Sequence, residues 1–212
     1  MNRFSCQNSG KCCTHPKMVV TLTHEDIYRL MAHYKDFSVL LTKIQFLVDP
    51  DTINKTIVEM KQQKGNKKVL NQLKTAEGDG VFILRRIDNN ICTFFNTQTR
   101  LCTIHDHRPQ ACRNFPFSFT NSLDTGTITI SWVKDAQNFC PGIGSGNLFT
   151  KDDLEIIGNS TLHSISVYNQ IVDGLNKDFN PKKPMTAQES LIAIYLIAEK
   201  FKDQFIEIKE VV

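Results

Sequence analysis

The first clear rhythm of apolar and polar positions is "MVVTLTHEDIYRLMAHY", residues 18–34. Its β-rich opening predicts a short strand. Ile27, Leu30, Met31 and Tyr34 then recur on one helical face, and Thr23 with Asp26 forms a capping box that starts the helix. In the stretch that follows, the spacing of Leu40, Leu41, Ile44 and Leu47 predicts at least one amphipathic helix, and "KQQKGNKK", residues 61–68, reads as a solvated loop.

The pattern changes at "VFILRRIDNNICTFFNTQTRLCTI", residues 81–104, where short β-rich runs alternate with turn residues. It predicts a strand and then a hairpin around 96–100, with Cys92 and Cys102 brought near each other at its ends. In "HRPQACRNFPF" Pro109 suits the first turn of a helix and Pro116 stops it, which places Cys112 on one short helical turn. "GTITISWV", residues 126–133, predicts another strand, and it leads to Cys140 and the glycine-rich loop "CPGIGSG". Two further capping boxes, Thr150 with Asp153 and Thr186 with Glu189, head long C-terminal helical patterns. "NPKKP" separates these helices and predicts an antiparallel pair.

Together these elements predict an α+β chain, mainly helical, with a small antiparallel β-hairpin/sheet region organising a cysteine-rich metal site. With 212 residues, and roughly 100–200 residues to a domain, one domain is expected over 1–212. Its cysteine-cluster core would occupy 1–34 and 81–146, with a helical insertion at about 35–80 and a C-terminal helical annex at about 150–210.

Charge and composition narrow the partners. A net charge of +3 falls short of the dense basic surface that nucleic-acid binders use, and charge alone names no partner, which is left as an unidentified protein or small molecule. No segment approaches the roughly 20 apolar residues that cross a bilayer, and "MNRFSCQNSGKCC" lacks the apolar run of a signal peptide. A cytoplasmic protein with no membrane partner is the expectation.

The seven cysteines then carry the chemistry: Cys6, Cys12, Cys13, Cys92, Cys102, Cys112 and Cys140. Reducing conditions and an odd count argue against a disulfide framework, which brings metal binding or redox chemistry to the front. Short spacers in glycine- or proline-bearing turns let a backbone aim several thiolates at one point, and "CQNSGKCC" and "CPGIG" are such turns. Side chains of neighbouring residues normally diverge, so Cys12 and Cys13 suit two metals, a polynuclear cluster, or one ligand beside a free thiol. Seven thiols also exceed the four that a structural zinc or a cubane cluster takes. His105 and His107 could complete or orient a coordination shell, or be polar loop residues. Arg108 and Arg113 could offset thiolate charge, or pair with a carboxylate. Phe115 and Phe117 are expected to pack beneath the cluster.

"FSCQNSGKCC", "CTFFNTQTRLCTIHDHRPQACRNFPF" and "CPGIG" together resemble the cysteine-cluster proteins known as zinc- or iron-chelating domains, often called the YkgJ family. The resemblance spans roughly 4–31 and 81–146, and it departs from the family pattern at Ser9, where a second cysteine often stands. It implies metal chelation, and it brings relatives that include iron–sulfur proteins and flagellin lysine N-methylases. "GIGSG" precedes no clear Rossmann unit, and no C-x-x-x-C-x-x-C run is present. Three readings follow. The first is a cysteine-cluster protein holding an iron–sulfur cluster or iron ions, alternatively zinc, with redox activity as one option. The second is an iron–sulfur oxidoreductase or methyltransferase-like enzyme, and the third an interaction module with a purely structural zinc.

Overall fold

A computed structural model describes residues 2–48, 70–121 and 127–205. The chain opens with β1 (Arg3–Phe4), the single helical turn α1 (Lys11–Thr14), α2 (His24–Tyr34), α3 (Phe37–Lys43) and β2 (Ile44–Leu47). Next come β3 (Leu73–Thr75), β4 (Gly78–Leu84), β5 (Arg86–Ile87), β6 (Ile91–Cys92), β7 (Phe95–Asn96) and β8 (Leu101–Cys102). The last part holds α4 (Gln110–Asn114), β9 (Phe117–Asn121), β10 (Ile128–Trp132), α5 (Ala136–Phe139), β11 (Asn147–Leu148), α6 (Lys151–Lys177) and α7 (Ala187–Lys200). The class is α+β, and every strand pairing among the described residues is antiparallel.

All three expected capping boxes form. Thr23, Thr150 and Thr186 each accept from the backbone of the acidic residue three positions on, and each acid returns the bond. These contacts are local and depend on nothing beyond a few residues, which is why the sequence shows them. Thr21, in the expected first strand, makes an isolated antiparallel bridge to Ile83.

The helix expected through Leu47 ends early, at Lys43. Ile44–Leu47 instead pairs with β4, Ile44 opposite Leu84 and Leu47 opposite Val81. Four residues with three apolar side chains satisfy a strand as well as a helix, and the open edge of β4 decides between them. The polar run 61–68 lies outside the described residues.

β4 is the middle strand of the β2–β4–β3 sheet. Its side chains alternate between two apolar groups: Phe82 and Leu84 enter the main core, while Val81 and Ile83 meet Leu47 and Leu70. Both faces are covered, so the run reads as continuously apolar. The main core also takes Leu22, Ile27 and Leu30 from the α2 region, Leu40 from α3, Cys92 and Phe94 from the hairpin region, and Tyr168 and Ile194 from the C-terminal helices.

The two long helices do not form the expected antiparallel pair. α7 packs chiefly on α2, while α6 lies along β3, β9 and β10. α6, at about 1.5 Å per residue, is long enough to brace both ends of the molecule. Near its C-terminal half, Asn169 Oδ1 accepts from Asn71 N at 2.7 Å and Asn176 Oδ1 from Lys74 N at 2.8 Å. Near its N-terminal half, Thr161 Oγ1 accepts from Gln110 Nε2 at 3.2 Å and Asn114 Nδ2 at 2.8 Å, which fixes α4 against α6.

Candidate metal centre

The N-terminal segment reaches the site by pairing with a loop more than 130 positions away in sequence. Arg3 and Phe4 pair with Leu148 and Asn147, and Ser5 N donates to Gly142 O at 3.2 Å. Gly142 is required there: a Cβ at this position would run into the Ser5 carbonyl oxygen. This close approach brings Cys6, just past β1, to the same side as Cys140. Phe4, Cys6 and Cys140 share an apolar cluster with Phe117, Leu154 and Ile157.

Cys12 and Cys13 ride on α1, which follows Gly10 in the left-handed region at φ 67°. A Cβ on Gly10 would strike the Phe95 ring of β7. Glycine therefore lets α1 sit directly on the hairpin. Arg86 fastens the far end of the turn, its Nη2 donating to the carbonyls of Cys13 at 3.0 Å and His15 at 2.9 Å. Arg86 is also the strand partner of Cys92.

Cys102 opposes Phe95 in the β7–β8 hairpin, and the next residue is held to the hairpin by Thr103 N donating to Phe94 O at 2.8 Å. Cys112 lies on α4, whose first residue is positioned from elsewhere: Gln110 N donates to Asp26 Oδ1 at 2.8 Å. The other oxygen of Asp26 serves the α2 cap. One buried carboxylate thus starts α2 and anchors the helix carrying Cys112.

All seven cysteines border one cavity of about 80 Å³. Ser9, Phe94, Phe95, His105, Arg108 and Phe115 share its wall. Several water-sized spheres fit in that space, hence one or a few ions. Contrary to the expected divergence of neighbouring side chains, Cys12 Sγ and Cys13 Sγ are 4.0 Å apart. Two sulfurs of a tetrahedral zinc shell with bonds of about 2.3 Å stand about 3.8 Å apart, so this pair is near the spacing one ion demands.

Burial raises the thiol pKa values of Cys92, Cys102 and Cys140, and that of Cys112 well above its ordinary value. Cys12 behaves differently: a hydrogen bond from the Cys13 thiol pulls it down to about 7, and burial opposes that pull. Cys13, which holds the shared proton, is raised by the same bond. The first proton of the pair leaves easily and the second is strongly held. The Arg108 guanidinium favours the thiolates of Cys12, Cys102 and Cys112, and Arg86 that of Cys92. The thiolates of the wall also repel one another against the charges of Arg86, Arg108 and Lys43, a repulsion that a bound divalent metal would offset.

The donor set fits a soft metal in its chemistry, since thiolates suit zinc and iron–sulfur centres. Two buried polar atoms on wall residues, His105 Nε2 and Arg108 Nη2, also have no hydrogen-bond partner. Yet among the described residues no three cysteine, histidine, aspartate or glutamate side chains lie together closely enough to hold an ion. Where an organised metal site was expected, the described residues show sulfurs gathered around one cavity and no coordination shell.

The four residues expected to support the cysteines divide. His105 and Arg108 border the cavity, whereas His107 and Arg113 do not. The His107 ring lies tilted against His33 with centres 4.4 Å apart, and the charge of Arg113 acts on Glu25. Phe115 is buried in the cavity wall and Phe117 in the neighbouring apolar cluster, as expected. Sequence reasoning missed Arg86 and Asp26 as positioning residues. The adjacent arginines closing an apolar strand were a local signal for Arg86; the second task of Asp26, already read as a cap, left none.

A cysteine-lined cavity between a helical turn, a hairpin and a glycine loop defines a thiol-rich chelating domain. Residues 5–141 match the family model described as "CxxCxxCC: Putative zinc- or iron-chelating domain", and the chain belongs to that family. No curated protein and no solved structure matches it. No helix among the described residues is long and apolar enough to cross a membrane.

Proposed function

We propose that the protein binds iron, as an iron–sulfur cluster or a polynuclear iron centre, with zinc as the alternative. The ligand pool is Cys6, Cys12, Cys13, Cys92, Cys102, Cys112 and Cys140. The observation that carries this reading is that residues from both ends of a 135-residue span, Cys6 to Cys140, border one cavity with the five cysteines between them. Such a gathering of free, partly buried thiols has no structural use on its own, because isolated buried cysteines pack equally well as small hydrophobes. A reducing, cytoplasmic setting would keep these thiols available.

Iron bound here would supply electron-transfer chemistry, and zinc a fixed charge and a cross-link. The chain's own residues do the rest. Cys12 releases the first proton, Arg86 and Arg108 offset thiolate charge, and Phe94, Phe95 and Phe115 keep water from much of the wall. The deciding experiment is metal and sulfide analysis with an absorption spectrum on protein purified without oxygen. Iron with acid-labile sulfide and broad visible absorption is the expected result, and stoichiometric zinc without colour selects the alternative. Seven titratable thiols with no bound metal would overturn both.

A further inference from the structure

We propose that His105 is a ligand of the metal in this cavity, binding through Nε2; the inference rests on the metal-binding reading above. His105 follows Cys102 at the spacing C-x-x-H, in the 3-10 turn His105–His107. The turn is held at both ends. Ile104, 2% exposed, anchors it in the core and accepts from His107 N at 2.9 Å, and Arg108 Nε donates to the His105 carbonyl at 2.8 Å.

The polarity of the ring follows from its neighbours. His105 Nδ1 lies 3.4 Å from Asp106 Oδ1. A carboxylate oxygen accepts, so the tautomer with its hydrogen on Nδ1 is the one that makes this contact a hydrogen bond, and in that tautomer Nε2 carries the lone pair. Metal-bound histidines show this arrangement, one ring nitrogen held by a carboxylate and the other facing the ion. Nε2 of His105 is buried without a hydrogen-bond partner, on a residue that borders the cavity with the seven cysteines.

Of the six histidines, His105 alone borders the cavity. His15 stacks on Phe139 with ring centres 4.2 Å apart, and His107 is against His33. The N-terminal motif also lacks one of its sulfurs. The family's pattern has four cysteines in C-x-x-C-x-x-C-C, and Ser9 stands in the second place here, on the same wall. A serine hydroxyl is a poor donor to a soft metal, whereas imidazole suits both zinc and iron. His105 therefore adds a nitrogen to the pool of seven sulfurs, in a chain whose motif holds no soft donor in its second place.

The test loads cobalt(II), which takes zinc and ferrous sites, into the full chain without oxygen. It compares wild type with His105→Gln, His105→Cys and His107→Gln after ¹⁵N-histidine labelling. Pulsed EPR reads nitrogen directly bound to the ion, and competition with a chelator reads affinity. The expected result is a ¹⁵N coupling in wild type and His107→Gln that vanishes in His105→Gln, with affinity lower by at least about tenfold. His105→Cys should hold cobalt with stronger sulfur-to-metal absorption and no nitrogen coupling, and it serves if the glutamine variant fails to fold. Cobalt bound by sulfur alone in wild type, or a coupling that survives in His105→Gln, overturns the assignment and leaves the metal-binding reading intact. Failure of wild type to bind cobalt overturns the His105 assignment, and failure to bind cobalt, zinc and iron alike overturns the metal-binding reading with it.

Discussion

Arg86 Nη2 donates to the carbonyl oxygen of Cys13 at 3.0 Å, joining the helical turn that carries the vicinal cysteines to the strand opposite Cys92. The same nitrogen reaches His15 O at 2.9 Å, and Nε reaches Asn90 O at 2.6 Å. Arg86→Met keeps the apolar stem and removes all three bonds. Buried bonds from a charged donor are worth about 1.5–3 kcal/mol each, but one of these is exposed and two are part-buried, so a loss of about 2 kcal/mol is expected. Urea unfolding reads that loss. Alkylation of Cys12 in metal-free protein should also become faster, and an unchanged rate would show that Arg86 does not hold the turn.

The Cys12–Cys13 contact at 4.0 Å sets a pH dependence. In reduced, metal-free protein one thiol of the pair should react with iodoacetamide along a titration centred at about pH 7, while its neighbour stays silent. Cys13→Ala removes the hydrogen bond that lowers the Cys12 pKa. The midpoint should then move up toward the ordinary thiol range, and the rate at pH 7 should fall roughly tenfold. A midpoint that stays put would mean that the bond is not the cause.

Gly142→Ala tests how the two ends of the chain meet. Its methyl group would collide with the Ser5 carbonyl, and either the β1–β11 pairing or the Cys140 loop must shift. A destabilisation of about 1–3 kcal/mol is expected, as for other overpacking substitutions. Metal loss to a chelator should quicken as Cys6 and Cys140 separate. Unaltered metal retention would show that these two cysteines need not stay together.

His24, the first residue of α2, is buried, and its Nδ1 has no hydrogen-bond partner. Burial, and then the nearby His163, depress its pKa from 6.5 to about 4. Above pH 6.5 the ring is neutral in both folded and unfolded chains and adds no pH dependence. As pH falls from 6.5 toward 4 the unfolded chain takes up the proton and the folded one does not, so stability is lost through that window. The loss between pH 7.5 and 5 should be about 2 kcal/mol. His24→Gln should flatten the profile in urea unfolding at those two pH values, and a variant as pH-sensitive as wild type would assign the effect elsewhere.

What the sequence determined by itself is what neighbouring residues settle among themselves. Three capping boxes, the short helix between Pro109 and Pro116, the strand before Cys140 and the glycine loop after it depend on contacts within a few positions. The ordered cysteine pattern likewise showed the family, because the ligand types stand in the chain whatever it folds into. The tertiary structure decided everything that joins distant segments. Ile44 and Leu47 became a strand because β4 offered an edge, α7 settled on α2 instead of α6, and Asp26 took a second task at Gln110. It also decided which supporting residues reach the cavity, admitting His105 and Arg108 and leaving out His107 and Arg113. Adjacent positions in a turn point in different directions, and only the packing around the turn says which direction is the inside.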